Sequence, residues 1–445
     1  MGSLDIPSAV LNLRDFDINF DTGFLPRQTP LLRLPSKWEA WELILESAIH
    51  DRIKLGETSG LSEEEREKSE SWRNHVRALP VLPTAELKES EVFLRRAHHV
   101  LTYILHFYVH SILPHDPISI PPSLTLPLLR VSAELLLPPT MSYSDDVLHN
   151  WKPKTPHFES GGEVPTIDNL RCQTSFTGSA DEDGFYLSTV RVELRGGAVL
   201  ELMQAILNDA STNDKLALQR ITDSLTKMAV IIKELRALLL GVREECNPEY
   251  FFREIRPWLV GTEPAEDSAT RPWVFEGLDQ DPNLQAPAEL SGSSAAQSTL
   301  IQGLDTFLGV DTYTLGEPKE SPHHVNVSPF AQRMRLYMPR RHREFLAQLV
   351  SNPFSLRELV ANAKDACLQE AYNGAVLALK EFRDAHMIIV TLYIIGPGRR
   401  AAREAAEAGL TREGPVKGSA GGDLARLLKD FRDRTTGAVF PEKKL

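Results

Sequence analysis

The stretch KEFRDAHMIIVTLYIIG, residues 380–396, contains the most apolar helical turns of the chain and a single histidine, His386. The pattern predicts the end of a helix that begins near Ala363. On an ideal helix, several apolar or aromatic side chains lie within about 60° of His386. They are Leu379, Phe382, Ile389, Val390 and Tyr393. The residues alone leave two interpretations open, because a buried imidazole must either hydrogen-bond or ligate something.

The first interpretation is a hydrogen-bonded core histidine, which is the commoner case for one histidine on an apolar helix face. The second is an axial ligand of a metal cofactor. No second histidine follows His386 at i+4. This arrangement suits the proximal ligand of a haem better than a zinc site, which needs several protein ligands close together.

Composition indicates a globular protein with an acidic charge balance. The chain has 445 residues, of which 42% are hydrophobic and 25% are charged, and its formal net charge is −12. This length can bury a large core and can hold two or three domains. No block of lysine and arginine offsets the negative charge locally. We therefore expect neither nucleic acid nor a membrane surface as a partner.

The cysteines and the N-terminus predict a cytoplasmic location. Cys172, Cys246 and Cys367 are far apart and form no CxxC motif, which indicates reduced thiols and no disulfide framework or zinc site. The first residues, MGSLDIPSAV, lack the basic and apolar regions of a signal peptide. The longest uncharged apolar run, residues 100–114, is too short and too rich in histidine to span a bilayer.

Hydrophobic periodicity predicts a mainly α-helical chain with a domain boundary near residue 170. Residues 1–170 are predicted to form a smaller, mixed but mostly helical domain. Residues 171–445 are predicted to form a larger, all-helical domain. Between Leu218 and Val242, apolar residues alternate at spacings of three and four, as in the seam of a helix bundle.

Some segments have weaker or mixed signals. FYLSTVRVEL, residues 185–194, is rich in β-branched and aromatic residues and favours a strand, with a separate helix from Ala198 to Ala210. Residues 56–71 predict a solvated helix or loop, and residues 262–292 a long polar loop. The segment after Gly396 is predicted to be mobile, with a short closing helix from Leu424 to Phe431. The Gly-rich stretches match neither a P-loop nor a dinucleotide fingerprint.

A second group of histidines invites a metal interpretation. Residues 89–113 predict a strong helix on which His99, His106 and His110 share one stripe. Their spacing leaves a full turn empty between the first two, and no carboxylate joins that face. We therefore expect structural histidines there.

Several stretches taken together resemble the indoleamine 2,3-dioxygenase family. They are LLLPPTMSYSDDVLHNW, DGFYLSTVRVEL, NPEYFFREIRPWLVG, GSSAAQSTLIQGLDTFLGV, RLYMPRRHREFLAQL, DACLQEAYNGAVLALKEFRDAHMIIVTLYIIG and KGSAGGDL. No single stretch is specific, but their order and spacing, from about residue 20 to residue 430, resemble those of the family.

The resemblance implies an enzyme that opens the indole 2,3-bond of L-tryptophan, and of related indoleamines, with O₂. The product would be N-formylkynurenine, in the first step of the kynurenine route towards NAD. The resemblance also implies one haem b (heme b) with a proximal histidine, an electron donor that keeps the iron ferrous, and a monomer. The implied fold is a small N-terminal domain, residues 1–170, that covers the distal side of the pocket, and a large all-helical domain, residues 171–445, that binds the haem and the substrate.

On the proximal side, the resemblance assigns His386 as the ligand of the haem iron. Arg383, one turn earlier, matches an arginine near a haem propionate, and Asp305 matches an acid that could pair with it. Ser294, in GSSAAQ, matches a serine at the haem edge.

On the distal side, the resemblance assigns Phe251 to packing on the indole and Arg256 to the substrate carboxylate. Phe185 and Tyr143 match pocket walls, and Ser419 matches a hydroxyl residue of a loop that closes over the substrate. Phe251 and Arg256, together with Thr189, are expected to act at the reaction site.

Three departures from the family pattern affect these expectations. Thr189 stands where better-known members have serine, which keeps the hydroxyl but adds a methyl group near the oxygen site. Asp146 replaces a smaller neutral residue beside Val147. Because a carboxylate in an apolar pocket would be costly, we expect it to point outward. The loop GSAGGDL has Ala420 and Gly422 where the family often has glycine and threonine.

Two other functions are compatible with parts of this pattern. A haem protein that stores or senses O₂ without turnover would keep His386 but could lose the substrate residues. The presence of both Phe251 and Arg256 argues against it. A weakly catalytic interaction protein is the other alternative, but no clear tyrosine-based partner motif favours it.

Overall fold

The computed structural model describes residues 11–155, 165–212, 215–262, 271–287, 289–310, 329–352, 354–407 and 424–441. Within these ranges the predicted mainly α-helical fold is confirmed. The helices are α1 (Glu39–His50), α2 (Glu63–Ala78), α3 (Glu91–His110), α4 (Pro122–Leu135), α5 (Ala180–Ala210), α6 (Lys215–Leu240), α7 (Val242–Glu245), α8 (Pro248–Tyr250), α9 (Thr299–Phe307), α10 (Pro329–Arg335), α11 (Arg340–Ser351), α12 (Leu356–Ala363), α13 (Ala366–Val390), α14 (Gly396–Glu407) and α15 (Leu424–Gly437).

The strands are short and pair in two small sheets. β1 (Ile118–Ile120) is parallel to β4 (Trp273–Phe275), and β2 (Trp151–Lys152) is antiparallel to β3 (Arg171–Cys172). In the described ranges, three π-helical turns interrupt the α-helical pattern, at Ser144–Leu148, Phe251–Ile255 and Thr391–Ile395. Such turns often occur at functional sites.

Three long helices form the framework of the C-terminal part of the chain. Helix α6 packs along both α5 and α13. The inward positions of α6 are fully buried, which confirms the predicted bundle seam. They are Ile221, Leu225, Met228, Ile232 and Leu235. The sequence also predicts an N-terminal cap for this helix at Asn213 or Asp214, and these two positions lie outside the described residues.

The strand predicted for FYLSTVRVEL is wrong, because these residues lie inside α5. The helix begins at Ala180 after Ser179, whose hydroxyl accepts a hydrogen bond from Glu182 N. Burial between helices outweighs the moderate helix propensity of β-branched residues. Gly197 then lets the N-terminal segment cross the helix, since an added Cβ would lie 2.5 Å from Phe20 O.

The segment after Gly396 also differs from its prediction. Helix α14 continues to Glu407, where a mobile segment was predicted, and residues 408–423 lie outside the described residues. Helix α15 begins at Leu424 as predicted but extends to Gly437. Residues 56–71, for which a solvated helix or loop is predicted, contain the beginning of helix α2. This helix has a capping box between Ser62 and Glu65.

The boundary near residue 170 stays a prediction. Buried residues on both sides of it belong to one continuous core. Phe107 and Trp258, for example, have ring centroids 5.2 Å apart. None of the described helices is long and apolar enough to cross a membrane.

Candidate active site

His386 lies on α13, where its ring is half-buried. Burial and the nearby Arg383 lower its pKa from 6.5 to about 4. The imidazole is therefore neutral near pH 7, and this is the form that ligates a metal. Among the residues that the structure describes, none hydrogen-bonds to this ring. A histidine with both nitrogens available in this way is suited to an axial ligand.

The histidines of α3 differ from His386 because their rings have hydrogen-bond partners. His106 is fully buried, with Nδ1 2.6 Å from Trp258 O and Nε2 3.0 Å from Thr140 Oγ1. The other contacts are His99 with Asp145 O and Thr174 Oγ1, and His110 with Val260 O. In the described part of the chain, no group of three or more His, Cys, Asp or Glu side chains is placed to hold a metal ion. The prediction that these histidines are structural is confirmed.

Arg383 and Asp305 form a buried ion pair one turn before His386. Arg383 Nη2 donates to Asp305 Oδ1, whereas Nε and Nη1 are buried without a hydrogen-bond partner in the described structure. The guanidinium also lies 5.3 Å from the ring centroid of Phe431 on α15. Two unused guanidinium nitrogens one turn before His386 can donate to a carboxylate, so this arrangement fits a haem whose propionate reaches Arg383.

Two aromatic rings meet close to the helix that carries His386. Phe251, in the π-helical turn Phe251–Ile255, and Phe185, in the second turn of α5, have ring centroids 4.4 Å apart. Tyr393 contacts Phe251 at 5.7 Å. Tyr393 lies in the π-helical turn Thr391–Ile395, which directly follows the helix that carries His386. The structure thus brings Phe185 and Phe251 together, with Phe251 against this turn.

Arg256 and Thr189 lie on the same two segments as the aromatic pair. Arg256 follows the turn that begins at Phe251, is half-buried and has its guanidinium 5.5 Å from the ring centroid of Phe252. Thr189 is half-buried on α5, four residues after Phe185, and therefore on the same helix face. Both positions are compatible with the roles predicted for them.

Tyr143 is held in place by a buried carboxyl group. Its hydroxyl donates to Glu193 Oε1 at 2.7 Å, and the Ser298 hydroxyl donates to the same oxygen at 2.7 Å. Burial raises the pKa of Glu193. The backbone N–H of Tyr143 donates to Gln297 Oε1 at 2.8 Å. Glu193 and Gln297 were missed in the sequence, although a glutamate within the apolar stretch VRVEL was a usable signal.

Ser294 directly precedes the short turn Ala295–Gln297, and Gln297 of this turn accepts the hydrogen bond from the backbone N–H of Tyr143. The Ser294 hydroxyl accepts a hydrogen bond from Ala296 N at 3.3 Å and caps this turn. The serine predicted at the haem edge is thus anchored by its own loop. Ser419 lies outside the described residues.

The outward orientation expected for Asp146 is wrong. The side chain is 2% exposed and lies in the π-helical turn Ser144–Leu148. Burial raises its pKa from 3.8 to about 8, so the carboxyl group is mostly neutral at pH 7. Protonation removes most of the cost on which the outward expectation rested.

The sequence profile of the indoleamine 2,3-dioxygenase family matches residues 12–438. The chain belongs to this family. Indoleamine 2,3-dioxygenase 1 of Rattus norvegicus is 31% identical over 430 residues, which cover 96% of each chain. The indoleamine 2,3-dioxygenase of Saccharomyces cerevisiae is 34% identical over 399 residues, which cover 86% of this chain and 80% of the yeast protein.

A further similar protein has a different name. The myoglobin of Haliotis diversicolor is 28% identical over 430 residues, which cover 96% of this chain and 98% of the myoglobin. The family and its named dioxygenases make this chain a haem-dependent indoleamine dioxygenase and hence an oxidoreductase.

Proposed function

We propose that the enzyme opens the indole 2,3-bond of L-tryptophan with O₂ and releases N-formylkynurenine, and that it also accepts related indoleamines. This reaction would be the first step of the kynurenine route towards NAD. The observation that carries the proposal is the aromatic pair Phe185–Phe251, with 4.4 Å between ring centroids. Phe251 also contacts Tyr393, in the turn that directly follows the helix of the unpartnered His386. An indole ring needs apolar, aromatic walls of this kind.

The cofactor of the proposal is one haem b held by His386. Arg383 would bind a propionate through its unused N–H groups, and Ser294 would lie at the haem edge. When bound, the haem supplies the iron that activates O₂ for addition to the indole ring. The protein's contribution is to hold and orient the substrate and to exclude water.

Phe185 and Phe251 would hold the indole, with about 0.5–1.5 kcal/mol from each aromatic contact beyond simple burial. Arg256 would bind the carboxylate of the amino acid, with about 1.5–3 kcal/mol for each charge-assisted hydrogen bond. Thr189 would narrow the space beside the reacting carbons with its methyl group. Tyr143 would act as a fixed wall, because its hydroxyl is already held by Glu193.

We further propose that Ser419 belongs to a segment that closes over the bound amino acid. A cytoplasmic location, a monomeric state and a separate electron donor complete the proposal. The acidic charge of −12 supports the absence of nucleic acid and membrane surfaces among its partners.

The alternative is a haem protein that binds or senses O₂ without oxidising a substrate. The similarity to the Haliotis diversicolor myoglobin favours it. Both functions need His386, but only the enzyme needs Arg256 and the aromatic pair. Variants at these positions therefore separate the two functions.

The test is a turnover assay on the haem-loaded, reduced protein with O₂ and L-tryptophan, followed by the absorbance of N-formylkynurenine. We expect many turnovers in the wild type, none in His386→Ala, and a loss of about a hundredfold or more in kcat/KM for Arg256→Ala. Arg253→Ala is the matched control. Arg253 lies three residues earlier but pairs on the surface with Glu404 at 2.9 Å, so its loss should leave kcat/KM unchanged. A stable O₂ complex without product would favour the alternative.

A further inference from the structure

The side chain of Tyr393 connects the end of α13 to the backbone around α7. Tyr393 lies in the π-helical turn Thr391–Ile395, which directly follows α13, and is 1% exposed. Its hydroxyl lies 2.7 Å from Cys246 O and 3.1 Å from Val242 O. A tyrosine hydroxyl has one proton to donate, so the two carbonyl oxygens share it. The hydroxyl therefore holds the backbone immediately before residues 247–256.

The ring of the same tyrosine contacts the proposed indole site. The rings of Tyr393 and Phe251 meet edge to face, with centroids 5.7 Å apart and planes at 72°. Phe251 is five residues after Cys246 and begins the π-helical turn Phe251–Ile255. One side chain thus holds the start of this segment through its hydroxyl and contacts the aromatic residue proposed to bind the indole through its ring.

The same backbone is also fixed to the beginning of α5. The backbone N–H of Asn247 donates to Asp181 Oδ1 at 2.6 Å. Gly184 lets the two segments approach closely, since an added Cβ would lie 2.7 Å from Glu245 O. Because α5 also carries Phe185, these contacts help to determine how the two rings of the aromatic pair meet. The tyrosine hydroxyl adds the connection from this unit to the end of α13.

The hydroxyl is the part of Tyr393 that packing alone does not need. A phenylalanine ring would fill the same space, and a buried hydroxyl is unfavourable unless it forms a hydrogen bond. Burial raises the pKa of Tyr393 to about 12, so the hydroxyl keeps its proton across the neutral pH range. Its bonds to the two carbonyl oxygens are therefore a constant feature of the folded protein at neutral pH.

We propose that Tyr393 is a positioning residue, whose hydroxyl fixes the position of Phe251, and with it the indole, relative to the helix that carries His386. This inference rests on the proposed function and adds a residue to it. Tyr393 does not touch the substrate but acts through Phe251. The rate of a reaction between bound groups depends steeply on their placement, since an error of about 1 Å can cost on the order of a hundredfold.

The experiment begins with Tyr393→Phe in the reduced, haem-loaded enzyme. The variant loses one oxygen atom and keeps the ring that contacts Phe251. We expect a normal Soret band. The dissociation constant of L-tryptophan, measured without O₂, should stay within about threefold of the wild type, because Arg256 and the aromatic pair remain. With O₂, kcat should fall by about tenfold, because the indole is less well placed.

Tyr372→Phe is the matched control for the loss of a buried tyrosine hydroxyl. Tyr372 lies on α13, is fully buried and donates to the backbone oxygen of Leu308 at 2.6 Å. Both variants lose a comparable hydrogen bond, but only Tyr393 is connected to the Phe251 segment. Tyr372→Phe should therefore leave kcat unchanged. Equal losses of kcat in the two variants, or an unchanged kcat in Tyr393→Phe, would overturn the inference.

A positioning residue acts through the group that it positions, and a second substitution tests this. Phe251→Leu keeps an apolar side chain but removes the ring that contacts Tyr393. In this background, adding Tyr393→Phe should lower kcat/KM by less than about twofold, because the two substitutions affect one interaction. A further loss as large as in the wild-type background would mean that Tyr393 acts independently of Phe251 and would contradict the proposal.

Hydrogen exchange gives a readout that needs neither haem nor turnover. In the haem-free protein, the amides of residues 242–256 should exchange about tenfold faster in Tyr393→Phe and at the wild-type rate in Tyr372→Phe. Unchanged exchange in Tyr393→Phe would overturn the inference. If the wild type does not turn over tryptophan, the proposed function is wrong, and the exchange rates still decide whether the Tyr393 hydroxyl fixes the segment that carries Phe251.

Discussion

Helices α3 and α13 each present histidine on a largely buried face, but the two faces differ in what the imidazoles contact. In the described structure every α3 histidine from His98 to His110 has an oxygen partner, whereas His386 on α13 has none. Burial lowers the pKa of His106 and of His386 to about 4 in both places. The pKa therefore does not separate a structural histidine from a candidate ligand, but the hydrogen-bond partners do.

The largest expected effect in this comparison is the loss of haem binding. We expect His386→Ala to abolish haem binding, since His386 is the axial ligand in the proposed function. The measurement is the Soret band after reconstitution with haem. His106→Gln is the control and should keep the band. A normal Soret band in His386→Ala would show that the unpartnered ring is not the haem ligand.

The ion pair beside His386 gives the next largest effect. Asp305→Ala leaves the Arg383 guanidinium buried without its carboxylate, and should lower the free energy of unfolding by about 3–5 kcal/mol. Glu404→Ala breaks the exposed pair with Arg253 and should cost about 0–1 kcal/mol. Denaturant unfolding of the haem-free proteins measures both. Equal costs for the two substitutions would contradict the buried state of the Arg383–Asp305 pair.

The two histidine positions should also differ in stability, by a smaller amount. His106→Ala leaves Trp258 O and Thr140 without their buried partner, and should cost about 2–4 kcal/mol. His386→Ala removes no hydrogen bond in the described structure and should cost about 1 kcal/mol or less in the haem-free protein. Comparable losses at both positions would mean that His386 has a structural partner.

Much of the helical framework could be predicted from periodicity alone. The seam of α6 and the buried face of α13 depend on apolar spacing, which is a local property of the sequence. The strand assigned to residues 185–194 failed because tertiary packing decides between helix and strand for a short β-branched stretch. Phe185 and Thr189, predicted as a pocket wall and as a residue of the reaction site, share a face of the helix that the structure reveals.

The candidate site was only partly predictable for a related reason. The resemblance to the family assigned roles to His386, Arg383 and Phe251. Matched sequence stretches give no information about a buried side chain whose hydrogen-bond partners come from distant segments. Glu193 is such a side chain, since its partners come from Tyr143 and Ser298. The orientation of Asp146 was predicted wrongly because the free-energy cost of burial was assessed for the ionised carboxylate. Burial favours the neutral carboxyl group instead.

Two neighbouring aspartates test how hydrogen-bond and ion-pair partners determine the protonation of a buried carboxyl group. The expected effect is the smallest of those considered. Burial alone would raise the pKa of Asp145, but His98 and the hydrogen bonds from Ser142 overcome it and lower the pKa to about 2. Asp146 lacks such a partner for Oδ1, and its pKa rises to about 8. The two groups should therefore contribute to stability with opposite signs of pH dependence.

Asp145 contributes stability above the ordinary pKa near 3.8, which is lost as the pH falls towards 2. For Asp146 the folded state holds a proton that the unfolded chain releases, so stability falls as the pH rises from about 4 to about 8. The slope is at most about 1.4 kcal/mol per pH unit for one group.

Asp146→Asn should remove this part of the slope, so that the variant gains stability relative to the wild type between pH 5 and pH 8. The measurement is denaturant unfolding of both haem-free proteins across this range. Glu182 and Glu193, whose pKa values burial also raises, stay in both proteins and cancel in the difference. Parallel curves for the two proteins would place an unseen partner on Asp146 and would remove the physical basis of the contrast with Asp145.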